Sequence, residues 1–232
     1  MNEYDPLKEY ALEKLKSDGL IEDAWDAVDL FERTLAEYTG SKYAVSVDNC
    51  TDAIFLCLKY LECDSEYQDN SVITIPKNTY CSIPMVIHNA GYSYKFEDLE
   101  WSGAYQLSPY PIYDSALRLT EGMYVSGTFQ CLSFHRRKIL KLTKGGAILT
   151  DDPRAAEWVK VARSKGRHPH NKTYYKDEKF DIMGWNMYLH PEDAAKAYLI
   201  LQQLPRNNED GGGSKFYGNL TKHKIFVEKQ NR

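Results

Sequence analysis

Residues 43–61 read YAVSVDNCTDAIFLCLKYL, and this stretch decides the fold. Tyr43–Val47 is rich in β-branched and aromatic residues, whereas Thr51–Leu61 carries apolar residues at helical spacing. The alternation continues with a predicted strand at Ser71–Ile75, a helix at Tyr80–Asn89 and a strand at Tyr92–Phe96. Because these strands are too apolar to show a two-residue period, we expect a mainly parallel sheet that is buried on both faces. The sequence therefore predicts an α/β fold with three layers, α/β/α.

The rest of the chain extends this pattern in both directions. Further strands are predicted at Tyr110–Asp114, Thr128–Phe134 and Gly146–Thr150, and further helices at Pro6–Asp18, Asp23–Tyr38, Pro153–Arg163 and Glu192–Leu204. Residues 164–183 lack an apolar period and are predicted to cross the surface, and the glycine-rich residues 206–214 form a flexible linker to a short strand at Ile225–Val227. We expect a helical arm over residues 1–22, an α/β domain over 23–205 and a linker with a short C-terminal remnant over 206–232.

The composition argues against several classes of protein. With 29 Lys and Arg against 33 Asp and Glu, the net charge of −4 gives no positive field for a nucleic acid. The five cysteines are odd in number and form no C-x-x-C pair, which argues against a disulfide framework and a zinc site. The first residues, MNEYDP, are acidic and contain no apolar run, and no later stretch approaches the length of a membrane span, so we expect neither a leader nor a membrane-spanning segment. We expect a cytoplasmic protein without a metal, a nucleic acid or a membrane as a partner.

Polar side chains follow several predicted strands, where ligands bind in open α/β sheets. Thr51 could hold a phosphate at a helix N-terminus or simply cap the helix. Tyr80 could lie over a heteroaromatic ring or pack in the core, and Asp114 could hold a pyridinium nitrogen or cap a turn. Lys138 could be a nucleophile with a lowered pKa or part of an exposed basic turn with Arg136 and Arg137. Taken singly, none of these residues decides the function.

The order and spacing of these residues resemble the DegT/DnrJ/StrS family of sugar aminotransferases, which depend on pyridoxal phosphate (PLP). The likeness runs from about Phe31 to Leu204. The segments that carry it are Phe31–Val47, Asp48–Thr51 ("NSGT" in the family), Thr79–Tyr80, Asp114–Ala116 ("DxA"), Ser133–Lys138 ("SFHPTK"), Gly145–Asp151 ("GGAIVTD") and Gly184–Asn186 ("GxN"). Together, these ordered elements with residues of suitable chemistry are far more specific than any one of them.

The resemblance implies a PLP-dependent transferase of fold type I. Lys138 would form the internal aldimine with PLP, Asp114 would pair with the pyridine nitrogen and Tyr80 would stack on the ring. The other residues expected to bind the cofactor are Cys50, Thr51, Asp52 and Ser133, together with Asn186, which in the family reaches the phosphate of the neighbouring subunit. The resemblance further implies a homodimer with shared active sites. It also implies that glutamate is the amino donor, that a nucleotide-linked 4-keto-6-deoxyhexose is the acceptor, and that the pathway is amino sugar and polysaccharide biosynthesis.

Some features depart from the family pattern. Leu117 stands where Gln or His is common, so a polar contact near the cofactor is expected to be missing. Asp52 is a carboxylate beside the expected phosphate, which it would repel unless it turns outward. The chain is also shorter than family members, which implies that most of a C-terminal domain is lacking. Two alternatives follow: a degenerate, non-catalytic binding protein with this fold, or a PLP-dependent sugar dehydratase, although those enzymes carry His in place of Lys138.

Overall fold

The computed structural model describes residues 6–63, 71–168 and 179–230. Along the chain, the helices and strands are α1 (Pro6–Ser17), α2 (Asp26–Thr39), β1 (Tyr43–Val47), α3 (Cys50–Cys63), β2 (Ile73–Pro76), α4 (Ser82–Ala90), β3 (Tyr94–Glu97), β4 (Tyr105–Gln106), β5 (Ile112–Asp114), β6 (Phe129–Ser133), β7 (Gly146–Thr150), α5 (Pro153–Ala162), α6 (Pro191–Leu201) and α7 (Lys224–Glu228). Two short 3₁₀ helices, Ser214–Phe216 and Leu220–Lys222, precede α7. Within the described ranges, no helix is both long and apolar enough to cross a membrane.

The main sheet has the strand order β1-β7-β6-β5-β4, and β2 pairs with β3 beside it. Within the main sheet only β5 and β6 pair in parallel, while β7 is antiparallel to both β1 and β6, and β4 is antiparallel to β5. The sheet is thus mixed rather than mainly parallel, although β1, β5 and β6 run in one direction. The reason is that residues 134–145, between β6 and β7, contain no helix, so the chain returns antiparallel instead of crossing over the sheet.

Alternate residues of the central strands face two different cores. Val45 of β1 and Ile148 of β7 pack in one core with helices α3, α4 and α5. Their neighbours Ala44 and Leu149 pack in a second core with α2 and α6. Since successive side chains of a strand point to opposite faces, the sheet is covered by helices on both sides. This confirms the predicted three-layer α/β/α arrangement.

Several predicted element bounds are confirmed by their local chemistry. β1 and β7 have the predicted limits. Gly40 ends α2 in the left-handed conformation, with φ at 77°, and Asp152 caps α5 by accepting a hydrogen bond from the Arg154 N–H at 2.8 Å. In the predicted surface excursion, residues 164–168 and 179–183 form neither helix nor strand, and residues 169–178 lie outside the described part.

The prediction of a strand at Ile225–Val227 is wrong, because these residues belong to helix α7. Phe226 is buried while Ile225 and Val227 are exposed, and the Tyr94 hydroxyl of β3 donates to the Phe226 carbonyl at 2.6 Å. The β-branched composition that favours a strand is thus overridden by docking of one aromatic side chain.

Residues 211–222, called the C-terminal segment below, lie against the α/β domain. Just before it, Asp210 forms an ion pair with Arg118 at 2.7 Å. Within it, the Ser214 N–H donates to the Trp101 carbonyl at 3.0 Å, and the Leu220 N–H donates to the Lys77 carbonyl at 2.9 Å. Residues 210–214, the second half of the stretch predicted as a flexible linker, are therefore held against the domain, and the segment that follows is anchored at both ends.

Candidate functional site

A cavity of about 380 Å³ opens beyond the carboxyl ends of β1, β5 and β6 and beside the start of α4. Its lining combines polar, charged and aromatic side chains: Asn49, Cys50, Thr51, Tyr80, Ser82, Ile83, Trp101, Asp114, Ala116, Leu117, Ser133, His135, Arg137, Lys138 and Tyr217. The position is the one at which open α/β sheets bind ligands. The structure therefore brings together Cys50, Thr51, Tyr80, Asp114, Ser133 and Lys138, six of the eight residues that the sequence singles out.

Asp114 lies at the end of β5 and is buried, with 5% of its surface exposed. Its Oδ1 accepts a hydrogen bond from the Ala116 N–H at 3.0 Å, and its Oδ2 accepts one from the Tyr105 hydroxyl at 3.0 Å. Burial raises the pKa of Asp114, and these hydrogen bonds together with the charge of Lys138 oppose that rise. A buried acid that lines a cavity and is held by two hydrogen bonds is suited to bind a cationic group of a ligand.

Lys138 follows β6 in a turn that its N–H closes by donating to the His135 carbonyl at 2.7 Å. Its side chain is partly buried and lines the cavity, whereas the adjacent Arg136 and Arg137 are exposed. Burial lowers the pKa of Lys138, while the charge of Asp114 opposes the change. The amine is therefore neutral more often than that of an exposed lysine, as a nucleophile requires.

Hydroxyl groups and a helix N-terminus meet at another part of the cavity. Thr51, in the first turn of α3, shares a hydrogen bond of 2.8 Å with the Ser82 hydroxyl at the start of α4, and Ser133 lines the same space. Gly146 of β7 passes directly behind this turn, because a Cβ there would lie 2.7 Å from the Cys50 nitrogen. Hydroxyls beside the first turn of a helix, where the helix dipole is positive, form an anion site of the kind that binds phosphate.

Cys50 also lines the cavity, but it is not one of the hydroxyl-bearing side chains of the anion site. Its Sγ is 3.8 Å from Oδ1 of Asp114 and 3.4 Å from the Cys131 carbonyl oxygen. Burial, followed by the charge of Asp114, raises the pKa of the Cys50 thiol, so the thiol remains neutral. Cys50 therefore contacts the buried acid of the site.

An aromatic wall forms one side of the cavity and consists of Tyr80, Trp101 and Tyr217. The Trp101 and Tyr217 rings stack with centroids 5.7 Å apart, and Tyr80 meets Tyr217 edge-on at 6.3 Å. Asn78 anchors the wall by donating from Nδ2 to the Tyr217 carbonyl at 2.8 Å. The C-terminal segment thus contributes a cavity-lining side chain.

Two predicted site residues lie outside this cavity. Asp52 turns towards Asn49, whose Nδ2 donates to it at 2.8 Å, and does not line the cavity. Burial and the neighbouring Asp48 raise the pKa of Asp52 to about 7, which weakens its repulsion of an anion. Asn186 instead lines a separate hollow of about 270 Å³ with Asp48 and Lys144. The expectation that Asn186 acts on a neighbouring subunit remains a prediction.

Three residues in or beside the cavity were not predicted from the sequence: Tyr105, Trp101 and Tyr217. Tyr105 belongs to β4, a strand of two residues that leaves no periodic signal. Trp101 and Tyr217 are brought together across the chain by the C-terminal segment. The chain has eighteen tyrosines, so residue type alone could not single out these two.

Comparisons with known proteins agree with the fold. A model of the DegT/DnrJ/EryC1/StrS aminotransferase family matches residues 5–112 and 122–210. No curated protein matches the sequence. Among solved structures, the chain is similar to 3-amino-5-hydroxybenzoic acid synthase, with a TM-score of 0.67 and 19% identity over 88% of this chain and 62% of that one.

Two further structures share the fold at similar distance. One is the GDP-4-keto-6-deoxy-D-mannose-3-dehydratase of E. coli with bound hydrated PLP, with a TM-score of 0.66 and 16% identity over 89% of this chain and 67% of that one. The other is Helicobacter pylori PseC, an aminotransferase involved in the biosynthesis of pseudoaminic acid, with a TM-score of 0.64 and 18% identity over 86% and 63%. The chain spans 62% of the length of the first of these three structures.

Proposed function

The chain belongs to the DegT/DnrJ/EryC1/StrS aminotransferase family, and from that premise we propose that it is a PLP-dependent aminotransferase that transfers an amino group from glutamate to a keto sugar. The observation that carries the proposal is the presence of Lys138 and Asp114 in one cavity, with an anion site built around Thr51. An amine, a buried acid and an anion site are the three groups that a phosphorylated pyridine aldehyde requires.

The residues present fit this cofactor on the chemistry of their side chains. Lys138 supplies the amine that can bond to the aldehyde, and Asp114 supplies the acid for the ring nitrogen. Thr51 and Ser133 supply hydroxyls for the phosphate, and Tyr80 supplies an aromatic face for the ring. PLP, when bound, serves as an electron sink for a carbanion next to the reacting nitrogen.

The chain's own groups account for the proton transfers that this chemistry needs. Because burial lowers the pKa of Lys138, its Nζ can accept a proton from a substrate carbon and return it to another atom. Asp114 stays at the cavity floor through two hydrogen bonds, so its charge faces a fixed position. An acid at a fixed position and a base that can accept and return a proton are suited to the reversible transfer of an amino group in two half-reactions.

A nucleotide-linked 4-keto-6-deoxyhexose is the acceptor that we propose. Two structures of a GDP-4-keto-6-deoxymannose-3-dehydratase share the fold, and one of them was solved with bound GDP-perosamine. In this chain, exposed Arg137 lines the cavity and can face a diphosphate, while the aromatic wall can face a sugar ring. We place the reaction in amino sugar biosynthesis.

We further propose a homodimer with shared sites, in which Asn186 reaches the cofactor phosphate of the partner. The position of Asn186 outside its own chain's cavity supports this arrangement. Mixing a Lys138→Ala chain with an Asn186→Ala chain tests it. Sites shared between subunits give mixed dimers with one intact site and restored activity, whereas sites contained within one chain leave the mixture inactive.

The experiment that tests the function is cofactor binding followed by transfer. Purified protein with PLP should absorb visible light, and borohydride reduction followed by peptide mass spectrometry should find the cofactor on Lys138. Lys138→Ala should lose this attachment, and Lys141→Ala, an exposed lysine of the same loop, should keep it. Wild-type protein that stays colourless would favour the non-catalytic alternative.

The transfer itself is tested by incubation with glutamate and a panel of keto-sugar nucleotides, with mass spectrometry of the products. A product with an added amino group supports the aminotransferase. Loss of a hydroxyl without gain of nitrogen would favour the dehydratase alternative.

A further inference from the structure

Tyr105 is a buried tyrosine whose hydroxyl contacts the acid of the proposed cofactor site. It lies on β4 with 7% of its surface exposed, and its hydroxyl is 3.0 Å from Oδ2 of Asp114. The same hydroxyl also hydrogen-bonds to Oγ1 of Thr79, which is buried. We propose that Tyr105, supported by Thr79, is a positioning residue that holds Asp114 ionised and aimed at the cofactor ring. This inference rests on the proposed function.

The direction of the hydrogen bonds follows from the groups involved. An ionised carboxylate can only accept, so the Tyr105 proton must point to Asp114. The Tyr105 oxygen is then free to accept from the Thr79 hydroxyl, which gives a relay from Thr79 through Tyr105 to Asp114. Hydrogen bonds in such a chain polarise and strengthen one another in a buried setting.

The packing keeps this relay in place. Trp101 lies against the Tyr105 ring at a centroid distance of 4.7 Å, and the β4–β5 pairing sets Tyr105 directly opposite Asp114. Oδ1 is fixed separately by the Ala116 N–H. The two oxygens of the acid are therefore held from two sides, and rotation of the carboxyl group would break a hydrogen bond.

The relay also resolves a departure noted in the sequence. Leu117 replaces a polar residue near the expected cofactor, and its buried apolar side chain can form no hydrogen bond there. Tyr105 supplies a polar contact to Asp114 from a different strand. A hydrogen bond to the charged form favours that form, and an ionised acid is what a protonated ring nitrogen needs.

The Tyr105→Phe variant tests the proposal, because it removes one oxygen and keeps the ring. The titratable groups that interact with the charge of Asp114 are the thiols of Cys50 and Cys131, the amine of Lys138, and the hydroxyls of Tyr105 and Tyr217. All but one remain in the variant. We expect the dissociation constant for PLP to rise at least roughly tenfold, the low end of the range for one hydrogen bond to a charged group.

The pH profile of PLP binding is the readout that a merely structural role would not move. Loss of the hydrogen bond raises the pKa of Asp114, so the acidic limit of PLP binding should move up by about one pH unit. Thr79→Val should shift it in the same direction by less. Tyr92→Phe is the matched control, since it removes a buried hydroxyl that donates to the distant Leu58 carbonyl, and it should leave the profile unchanged.

Three results are informative. Wild-type affinity and profile in Tyr105→Phe would overturn the proposal. Equal losses in Tyr105→Phe and Tyr92→Phe, with equal loss of thermal stability, would also overturn it, because they would show a general packing defect. Wild-type protein that binds no PLP would instead contradict the proposed function itself.

Discussion

Glu32 of α2 and Arg163, which follows α5, form a buried ion pair. We expect the stability of the fold to depend strongly on this pair. Glu32 and Arg163 are 3% and 4% exposed. Oε1 of Glu32 accepts from the N–H and the hydroxyl of Ser46, each at 2.8 Å, and from Nη1 of Arg163. The pair thus ties both helices to β1, which leads into Thr51.

Replacing Arg163 by Met leaves Glu32 buried without its main counter-charge. Breaking a buried pair in this way costs about 3–5 kcal/mol. Lys160 remains 3.5 Å from the other Glu32 oxygen and Ser46 keeps its two hydrogen bonds, so we expect about 3 kcal/mol, at the low end of the range measured for such pairs. For a chain of this size, that loss corresponds to a Tm lower by about 6–12 °C.

Urea denaturation and thermal melting measure the effect. Arg154→Met is the matched control, because it changes an exposed arginine of the same helix and should alter stability little. The double variant Glu32→Gln/Arg163→Met should be less destabilised than the two single losses combined, since it removes both fully buried charges together. A cost below about 1 kcal/mol for Arg163→Met, or strict additivity in the double variant, would refute the reasoning.

The pair also fixes a pH dependence. Burial raises the pKa of Glu32, but Arg163, Lys160 and the hydrogen bonds outweigh it, so the pKa is lowered overall. A lowered pKa in the folded state means that the stabilisation is present above the unfolded pKa and is lost as the pH falls through the folded value. Wild-type protein should therefore lose more stability on acidification than the double variant.

Three further predictions concern the site. Because the pKa of Asp52 is about 7, its negative charge appears as the pH rises through neutrality and repels the cofactor phosphate. The affinity for PLP should therefore decline from about pH 6 to 8. In a binding titration, Asp52→Asn should flatten this decline. Gly213→Ala should detach the C-terminal segment, since the new Cβ would lie 2.1 Å from the Trp101 carbonyl oxygen. Gly218→Ala is the control, because its Cβ would meet nothing within 4 Å. Hydrogen exchange of residues 211–222 should be faster in the first variant only, and equal exchange in both would be contrary to the structure. Tyr217→Ala should leave the glutamate half-reaction near wild type and raise the KM for the sugar acceptor, and a slowed glutamate half-reaction would place Tyr217 at the cofactor instead.

Much of the fold could be predicted because local patterns and packing agree. The apolar run of β1 predicts a strand buried on both faces, and both of its faces do meet a core. The direction of β7 could not be predicted, since periodicity reveals a strand but not its orientation. The strand at Ile225–Val227 failed for a related reason, because the burial of Phe226 decides that conformation.

The candidate site was predictable where its residues follow strands. Asp114 and Lys138 stand at such positions, and the topology brings their strands side by side. The outward turn of Asp52 depends on the hydrogen bond from Asn49, which no spacing rule contains. Tyr105 and Tyr217 were not predictable, since Tyr105 belongs to a strand of only two residues and Tyr217 reaches the cavity through contacts with a distant part of the chain.

The hydrogen bond from Asn78 to Tyr217 joins residues 139 positions apart, which has a consequence for how the molecule folds. Contacts between residues so far apart form slowly, because a long loop must close before they stabilise anything. The helices, by contrast, are held by hydrogen bonds between residues four positions apart and can form early. We therefore expect the aromatic wall to be assembled late in refolding. Stacking between Trp101 and Tyr217, monitored by the fluorescence of Trp101, should recover later than the circular dichroism signal of the helices.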